Sequence, residues 1–357
     1  MFQQIRKLLL PISLLYGIVI FFRNKLYDWG IFKSQTFETP IISVGNLEVG
    51  GSGKTPMVEY LIHLLKNDFK LATLSRGYGR KTRGFRWVTP NESAELTGDE
   101  PLQISQKFPE ISVAVCENRV FGIQEIQKEH QLVLMDDAYQ HRAVKPDLSI
   151  LLFDYHQIKK TRFLLPAGNY REFFNGRERA DVLIITKCPL GITSAERKQL
   201  QQIVSPFSHQ KLFFSGIKYA EELNAVFTKE QLPIKTIDKN WTILLLTGIA
   251  KPAPLLDELK EYSKNILHHA YADHHQFSQK NMLKLVADFE AIKSDKKIII
   301  TTEKDAVRLK TDKFAGFLNN LPIYQWSIKV NFLDNTDEFN TLIKTYAQSN
   351  QGVGRIH

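Results

Sequence analysis

Residues 40–66 read PIISVGNLEVGGSGKTPMVEYLIHLLK, and this stretch decides the fold. The run from Pro40 to Val44 is short and apolar, as in a buried strand, and the run from Pro56 to Lys66 has the apolar spacing of a helix. Between them lies the glycine-rich turn Gly50-Gly51-Ser52-Gly53-Lys54-Thr55. A buried strand, a glycine-rich turn and Lys-Thr at a helix start form the arrangement of a P-loop, so we predict that this turn binds the phosphates of a nucleoside triphosphate.

The chemistry of this turn follows from its backbone and from two side chains. The glycines let backbone N–H groups point at phosphate oxygens, and the helix N-terminus adds its positive end. Lys54 is placed to reach the β- and γ-phosphates, and the Thr55 hydroxyl is placed to bind Mg²⁺. One position departs from the P-loop pattern, because Glu48 stands where a glycine is usual. The strand and helix on either side still favour a nucleotide site.

The guanine-binding element of GTPases, Asn/Thr-Lys-x-Asp, has two partial matches in the chain. Thr186-Lys187-Cys188-Pro189 begins correctly but ends in proline, and Thr302-Glu303-Lys304-Asp305 has the wrong spacing. The sequence therefore favours ATP over GTP, and ATP and Mg²⁺ are the predicted cofactors.

The rest of the chain alternates short apolar runs with helical patterns, which indicates a parallel sheet covered on both faces. The predicted fold class is α/β, and a length of 357 residues suggests two domains. We predict an N-terminal segment at 1–30, a P-loop domain at 31–234, a smaller α/β domain at 235–347 and a frayed tail at 348–357. The predicted strands after the first are 71–75, 111–116, 132–135, 148–153, 182–186, 241–246 and 298–302.

The N-terminal segment is apolar from Leu8 to Phe22 apart from Ser13, Tyr16 and Gly17, and basic residues stand on both sides of it. Since a spanning helix needs about 20 apolar residues, we favour a helix lying in the membrane interface. A core-packed helix and a spanning helix are the alternatives. The excess of 47 basic over 38 acidic residues, a formal charge of +9, favours an anionic partner: nucleic acid, a membrane surface or a phosphorylated substrate.

Two acidic pairs stand where phosphoryl transfer would use them. Asp136 and Asp137 follow an apolar run, at the strand tip where P-loop enzymes hold Mg²⁺ or its waters. Asp99 and Glu100 lie in a turn, and Asp99 is a candidate for orienting or deprotonating a hydroxyl group. A solvated turn or a helix cap is the alternative interpretation of the first pair, and an ordinary surface turn is the alternative for the second.

Two further clusters allow a functional and an ordinary interpretation. Asp273-His274-His275 is either an Asp–His pair for proton transfer or a surface loop, and zinc is disfavoured because no cysteine lies near. The basic stretch from Arg76 to Arg86, which includes Tyr78, is either a solvated loop or a site for an anionic substrate.

Taken together, these segments resemble one family, the tetraacyldisaccharide 4′-kinases, also called lipid A 4′-kinases. The most specific matches are Thr55-Pro56 after the P-loop lysine and the string Asp136-Asp137-x-x-Gln140-His141. The other matching segments are Leu14–Gly17, Val44–Asn46, Leu74–Gly79, Gly98–Pro101, Leu165–Gly168, Arg171-Glu172, Asp273-His274 and Thr302–Asp305.

The resemblance implies an ATP- and Mg²⁺-dependent kinase that acts on a lipid. Its substrate would be the 4′-hydroxyl of an acylated glucosamine disaccharide 1-phosphate, and its product the bis-phosphorylated lipid A precursor. Members of the family lie peripherally on the cytoplasmic face of the bacterial inner membrane. The partners implied are thus the lipid substrate and the inner-membrane surface, with no nucleic acid and no obligate protein partner.

The resemblance also implies roles for particular residues. Asp99 and His274 match the family's catalytic pair, and they act beside Lys54. Since these motifs lie in both predicted domains, domain closure would assemble the site. The implied Mg²⁺ ligands beside Thr55 are Glu100, Asp136 and Asp137. The implied substrate contacts are Asn46, Arg76, Tyr78, Arg119, Gln140, His141 and Glu172.

Two other functions fit parts of the sequence. A P-loop kinase for a soluble metabolite would leave the apolar N-terminal helix without a role beyond packing. A membrane-associated nucleotide switch or assembly factor would need neither Asp99 nor His274, and hydrolysis without transfer would identify it.

Overall fold

The structure is a computed structural model that describes residues 6–349. Its strands are β1 (Ile41–Asn46), β2 (Leu71–Ser75), β3 (Arg86–Val88), β4 (Ser112–Val115), β5 (Leu132–Asp136), β6 (Leu148–Asp154), β7 (Val182–Thr186), β8 (Lys211–Ala225), β9 (Gln231–Pro233), β10 (Thr242–Thr247), β11 (Asn265–Ala270), β12 (Lys297–Thr302) and β13 (Ile323–Phe332). Its α-helices are α1 (Leu10–Asp28), α2 (Lys54–Leu65), α3 (Ala94–Thr97), α4 (Asp99–Lys107), α5 (Arg119–Ile126), α6 (Ser194–Val204), α7 (Ala253–Tyr262), α8 (Gln279–Glu290), α9 (Glu303–Leu309), α10 (Asp312–Leu318) and α11 (Thr336–Ser349).

The strands form one sheet in the order β11-β10-β12-β13-β8-β7-β6-β1-β5-β2-β4-β3, with β9 beside β8. The pairs β3–β4, β8–β9 and β8–β13 are antiparallel, and the pairs between the other neighbours are parallel. Helices cover both faces, and the strands β1, β5, β6 and β7 are buried along their whole length. The predicted α/β class with a parallel sheet is confirmed.

The P-loop sits at the carboxyl edge of this sheet. Strand β1 lies between β5 and β6, so Asn46, Asp136 and Asp154, the last residues of these three strands, end at the same edge. The turn after β1 leads directly into α2 at Lys54. Ligands of open parallel sheets bind outside the carboxyl ends of the strands, so the topology places the acidic strand ends beside the phosphate-binding turn.

The second half of the chain continues the same sheet. The long strand β8 pairs with β7 through its first residues and with β13 through the rest, and this joins the two halves. The last helix, α11, returns to the first half, where Phe339 and Ile343 share a buried cluster with Met57 and Leu61 of α2. The predicted division into domains at residue 235 stays a prediction. The predicted frayed tail lies outside the described residues from position 350 onward, and its first two residues end α11.

Helix α1 stands apart from the core. Within residues 6–349, the stretch Lys7–Asp28 is long and apolar enough to cross a membrane, by length and composition. Only 11% of its apolar window is buried, and large side chains such as Leu15 and Val19 are exposed. A helix packed in a protein core would bury most of that surface, so the structure disfavours the core-packed alternative.

Candidate active site

The glycine-rich turn has the backbone that a phosphate site requires. Gly50 and Gly53 have φ angles of +107° and +88°, in the region that side-chain-bearing residues rarely adopt. Gly53 is the N-cap of α2, and Thr186 at the end of β7 supports the turn by donating a hydrogen bond to the Ser52 carbonyl at 2.7 Å. The Lys187 ammonium donates to the Gly51 carbonyl and contacts Asp154. The turn is thus held from the neighbouring strand ends.

A polar cluster surrounds Lys54. Its ammonium lies 3.3 Å from Asn46 Oδ1 and 3.8 Å from Asp137 Oδ2. The Arg171 guanidinium grips the Asp137 carboxylate with two bonds of 2.7 and 3.2 Å, and it also donates to Asn46. Burial raises the pKa of Asp137, but Lys54 and Arg171 outweigh this effect and leave the pKa below its usual value. Asp137 is therefore an ionised partner of two cations.

The pKa of Asp136 is shifted in the opposite direction from that of Asp137. Its side chain is buried, and among the described residues its Oδ1 has no hydrogen-bond partner. Burial, together with repulsion from Glu100 and Asp137, raises its pKa to about 7. An uncompensated carboxylate of this kind is stabilised by any cation that reaches it.

Asp99 and His274 come together across the two halves of the chain. His274 Nδ1 lies 3.1 Å from Asp99 Oδ2, and the His274 backbone is left-handed, with φ of +57°. Arg308 of α9 also bonds this carboxylate, at 2.6 and 3.1 Å. Burial raises the pKa of Asp99, but hydrogen bonds from His274 and Arg308 reverse the effect and lower it to about 2.

The protonation state of His274 follows from its second contact. Its Nε2 lies 3.1 Å from the ammonium of Lys304, which also reaches Glu100 Oε1 at 3.3 Å. A lysine ammonium can only donate, so Nε2 accepts in this contact and Nδ1 donates to Asp99 at 3.1 Å; the Arg308 guanidinium, also a donor, lies farther from Nδ1, at 3.4 Å. The arrangement holds a neutral imidazole with its basic nitrogen on the side of Glu100 and Lys304.

A buried ion cluster connects the helices that carry these groups. The Lys107 ammonium, at the end of α4, lies 2.6 Å from both Glu59 of α2 and Glu303 of α9. Helix α2 begins with Lys54, α4 begins with Asp99, and α9 carries Lys304 and Arg308. The cluster therefore connects the middle of α2, the end of α4 and the start of α9, three helices whose other residues form the site.

A cationic cluster surrounds Arg119, the first residue of α5. Arg119 is buried, and burial together with the neighbouring Arg76 lowers its pKa to about 10. Burial, followed by repulsion from Arg119 and Arg23, lowers the pKa of His141 to about 4, so this imidazole is neutral at neutral pH. Arg119 Nε and His141 Nε2 are buried without a partner among the described residues. Such unpaired donors and acceptors are what an anionic, polar ligand would satisfy.

Three further predicted substrate contacts are Gln140, Glu172 and Tyr78, and hydrogen bonds hold the first two. Gln140 donates to the Asn46 carbonyl at 2.9 Å and to Glu172 at 3.0 Å. Glu172 is buried, and its other oxygen is bonded by Arg179 at 2.8 Å, so both oxygens already have protein partners. Tyr78 is exposed, and its ring centroid lies 5.6 Å from that of His274.

The profile of the tetraacyldisaccharide-1-P 4′-kinase family, LpxK, matches residues 5–348. The chain belongs to this family. Two relatives named tetraacyldisaccharide 4′-kinase are those of Phocaeicola vulgatus, 43% identical with 97% of this chain and 96% of the relative covered, and Bacteroides thetaiotaomicron, 42% identical with 98% and 95% covered.

A solved LpxK structure shows the same fold. The crystal structure of LpxK from Aquifex aeolicus in complex with ATP matches with a TM-score of 0.74 and 30% identity, over 96% of this chain and 99% of that chain. Since that LpxK binds ATP, the structural likeness supports the prediction of an ATP site in the present family member. The recognition of the family from sequence is confirmed.

The structure adds three site residues to which the sequence pattern gives no role. Arg171 and Lys304 lie within the family motifs, and Arg308 lies outside them. A further signal was the left-handed backbone, since Asp137, Lys187 and His274 are three of the five described non-glycine residues with positive φ. Such conformations collect at functional sites, but φ is not readable from sequence.

Asp99→Asn tests the ion pair at the site through stability. The folded pKa of about 2 lies below the ordinary 3.8, so ionised Asp99 stabilises the fold at neutral pH, and this contribution is lost as the pH falls from about 4 through 2. The difference corresponds to about 2 kcal/mol, which the variant should lose in urea unfolding at pH 7. The loss should shrink near pH 3.

Asp257→Asn, in an exposed pair with Lys260, is the control and should change stability by less than about 0.5 kcal/mol. An equal loss at both pH values would contradict the ion pair.

Proposed function

We propose that the protein transfers the γ-phosphate of ATP to the 4′-hydroxyl of a tetraacylated glucosamine disaccharide 1-phosphate, which forms the bis-phosphorylated lipid A precursor. Membership of the 4′-kinase family supports the reaction class. The single structural observation that carries the proposal is the Asp99–His274 pair, 3.1 Å apart, in a P-loop protein. A nucleotide switch needs no such pair, whereas transfer to a hydroxyl needs a group that accepts a proton.

Nucleotide binding is assigned to the turn from Gly50 to Thr55. Its backbone N–H groups and the positive end of α2 favour the phosphates. Lys54 rests on Asn46 and Asp137, so its ammonium is directed across the carboxyl edge of the sheet toward the acidic strand ends. Gly50, Gly51, Ser52 and Gly53 supply the backbone, and Lys54 stabilises the charge that develops on the transferred group.

The donor set fits Mg²⁺. Thr55, Asp136 and Glu100 offer hard oxygen ligands, and the unpaired Asp136 Oδ1 marks a place for a cation. No group of three or more His, Cys, Asp or Glu in the described part of the chain forms a complete metal cage. Mg²⁺ typically takes one or two carboxylates and completes its shell with phosphate oxygens and water. When bound, the ion neutralises charge on the β- and γ-phosphates; Asp137, already gripped by Arg171 and Lys54, supports the site from beside it.

His274 is assigned as the proton acceptor. A carboxylate whose pKa is about 2 holds a proton weakly, so Asp99 is better suited to hold the imidazole than to take the proton itself. The proton of the sugar hydroxyl would pass to His274 Nε2 while the hydroxyl oxygen attacks the γ-phosphorus, and the bond from that phosphorus to the β,γ-bridging oxygen would break to release ADP. Lys304 occupies Nε2 in this structure, so the hydroxyl must replace it there.

The substrate's own phosphate and sugar are assigned to the cationic cluster around Arg119. Arg119 and Arg76 supply guanidinium groups for the 1-phosphate, and neutral His141 and Gln140 offer hydrogen bonds to sugar hydroxyls. Asn46, beside Lys54, and Tyr78, beside His274, are assigned as further contacts. Glu172 remains an indirect contact, since it orients Gln140.

Helix α1 accounts for the lipid part of the substrate. An apolar groove of about 220 Å³ lies between α1 and the side chains of Leu164 and Phe173. It suits an acyl chain, and the exposed apolar face of α1 suits the adjacent bilayer. We therefore place the protein peripherally on the cytoplasmic face of the bacterial inner membrane, where ATP is available. The absence of nucleic acid and of obligate protein partners stays a prediction.

The experiment for this function separates transfer from hydrolysis. Purified protein is incubated with Mg²⁺, ATP labelled at the γ-position and the disaccharide 1-phosphate lipid in detergent. We expect lipid-dependent label in the lipid fraction, and no transfer when Mg²⁺ is removed with a chelator. Release of inorganic phosphate at the same rate with and without lipid would favour the switch or assembly factor instead.

A further inference from the structure

Three residues interrupt the apolar face of α1, and the structure gathers them on one side of the helix. Ser13 and Gly17 are buried, although large apolar neighbours such as Leu14 and Leu15 are about two-thirds exposed. Tyr16 lies beside them at helical spacing. The polar and small residues of α1 therefore face the protein, and the apolar ones face outward.

This inward side binds one segment of chain, residues 164–173. The Ser13 hydroxyl donates to the Leu164 carbonyl at 3.1 Å and accepts from the Ala167 N–H at 2.9 Å. The Tyr16 hydroxyl donates to the Arg171 carbonyl at 2.7 Å. Three hydrogen bonds from two side chains thus fix the backbone of this segment at both ends.

Gly17 leaves room for side chains of the segment. A Cβ added there would lie 2.7 Å from Leu164 Cδ1 and 3.0 Å from Phe173 Cζ, so a larger side chain would displace the ends of these two side chains. We call the set Ser13, Tyr16 and Gly17 the α1 seat.

The same segment holds the start of the phosphate-binding turn. The Val49 N–H donates to the Asn169 carbonyl at 2.8 Å, and the Arg171 N–H donates to the Leu47 carbonyl at 2.7 Å. The side chain of Arg171 then binds Asp137 at 2.7 Å. A continuous path of hydrogen bonds leads from the seat through Arg171 to the residues around Lys54.

We propose that Ser13 and Tyr16 are positioning residues for the nucleotide site, so that α1 does more than contact a membrane. The α1 seat positions the 164–173 segment. The segment in turn positions Leu47 and Val49 before the phosphate-binding turn, and it positions the Arg171 side chain that binds Asp137. A site whose supporting residues are loosened binds and reacts less well, because small displacements of catalytic groups are costly. The inference rests on the proposed nucleotide site but not on the identity of the lipid.

The test measures ATP binding without lipid. Calorimetric titration with Mg²⁺ and ATP compares wild type, Tyr16→Phe and Ser13→Ala/Tyr16→Phe, all in detergent. Loss of hydrogen bonds that orient the segment should raise the Kd for ATP by about 3- to 10-fold, and in the separate lipid-transfer assay it should raise the KM for ATP by a similar factor. Tyr16→Phe removes one oxygen atom only, which makes it the variant least prone to misfold, and thermal unfolding of each variant reports on folding separately.

The matched control is Leu15→Ser, on the outward face of the same helix. It should reduce sedimentation with vesicles of phosphatidylethanolamine and phosphatidylglycerol and leave ATP binding unchanged. Tyr16→Phe should show the reverse pattern. If wild type binds ATP and the seat variants bind it equally well, the inference is wrong and α1 only contacts the membrane. If folded wild-type protein does not bind ATP, the proposed function itself fails.

Discussion

Lys54→Ala should reduce phosphate transfer to the lipid by about 10²- to 10³-fold, the cost typical of removing one preorganised donor from a transition state. The ammonium stands at the first residue of α2, where it rests 3.3 Å from Asn46 Oδ1. The ammonium is therefore held in place before the nucleotide arrives, and α2 contains no second lysine that could replace it. The rate is measured as label transferred from the γ-position of ATP.

The control for this substitution is Lys198→Ala, on the exposed face of α6. It removes an equal charge far along the chain from the phosphate-binding turn and should leave the transfer rate unchanged. If Lys54→Ala turned over as fast as wild type, the glycine-rich turn would have no part in the reaction.

The second large effect concerns the pair that joins the two halves of the chain. Asp99→Asn and His274→Ala should each lower kcat by about 10²-fold or more, because the imidazole loses either its orienting partner or its basic nitrogen. Asp99 fixes Nδ1 of His274 at 3.1 Å, so the two groups act as one unit. The double variant should therefore be little slower than the worse single variant.

The neighbouring histidine provides a matched control. His275 directs its Nε2 to Asn281 at 3.1 Å and stacks on Tyr271, away from Asp99. His275→Ala should retain most of the wild-type kcat. Full additivity of the Asp99 and His274 effects would argue against a working pair, and comparable losses at His274 and His275 would indicate a structural effect of the loop.

The phosphate-binding half was largely predictable because its signals are local. Strand β1, the turn with its glycines and helix α2 are contiguous, and the short apolar runs that became β2, β4, β5, β6 and β7 are continuous in sequence. The 15-residue strand β8 was not predicted, because its exposed residues alternate irregularly and its partners β7 and β13 are distant in the chain. Strand pairing of this kind is set by tertiary context.

The cations around the catalytic pair were harder to identify for a related reason. Lys304, Asp305 and Arg308 have the spacing of charges on a solvated helix face, which is their commonest setting. The structure instead buries Asp305 and Arg308 and directs Arg308 at Asp99, 209 positions earlier in the chain. Burial of a charge becomes visible only when the packing partner is known.

The apolar helix shows a third limit. The sequence marked Ser13, Tyr16 and Gly17 as interruptions of an apolar run that is short for a spanning helix. In the structure these three residues contact the 164–173 segment, and contacts with so distant a segment cannot be predicted from a local sequence pattern.

The measurement closest to the central claim is the position of the new phosphate on the product lipid. The protein is incubated with ATP, Mg²⁺ and the disaccharide 1-phosphate lipid, and the product is examined by phosphorus NMR and mass spectrometry beside a substrate that lacks the 4′-hydroxyl. We expect a second phosphomonoester at the 4′ position and no product from the 4′-deoxy lipid. Phosphate added to the existing 1-phosphate, or ATP hydrolysed with no change in the lipid, would contradict it.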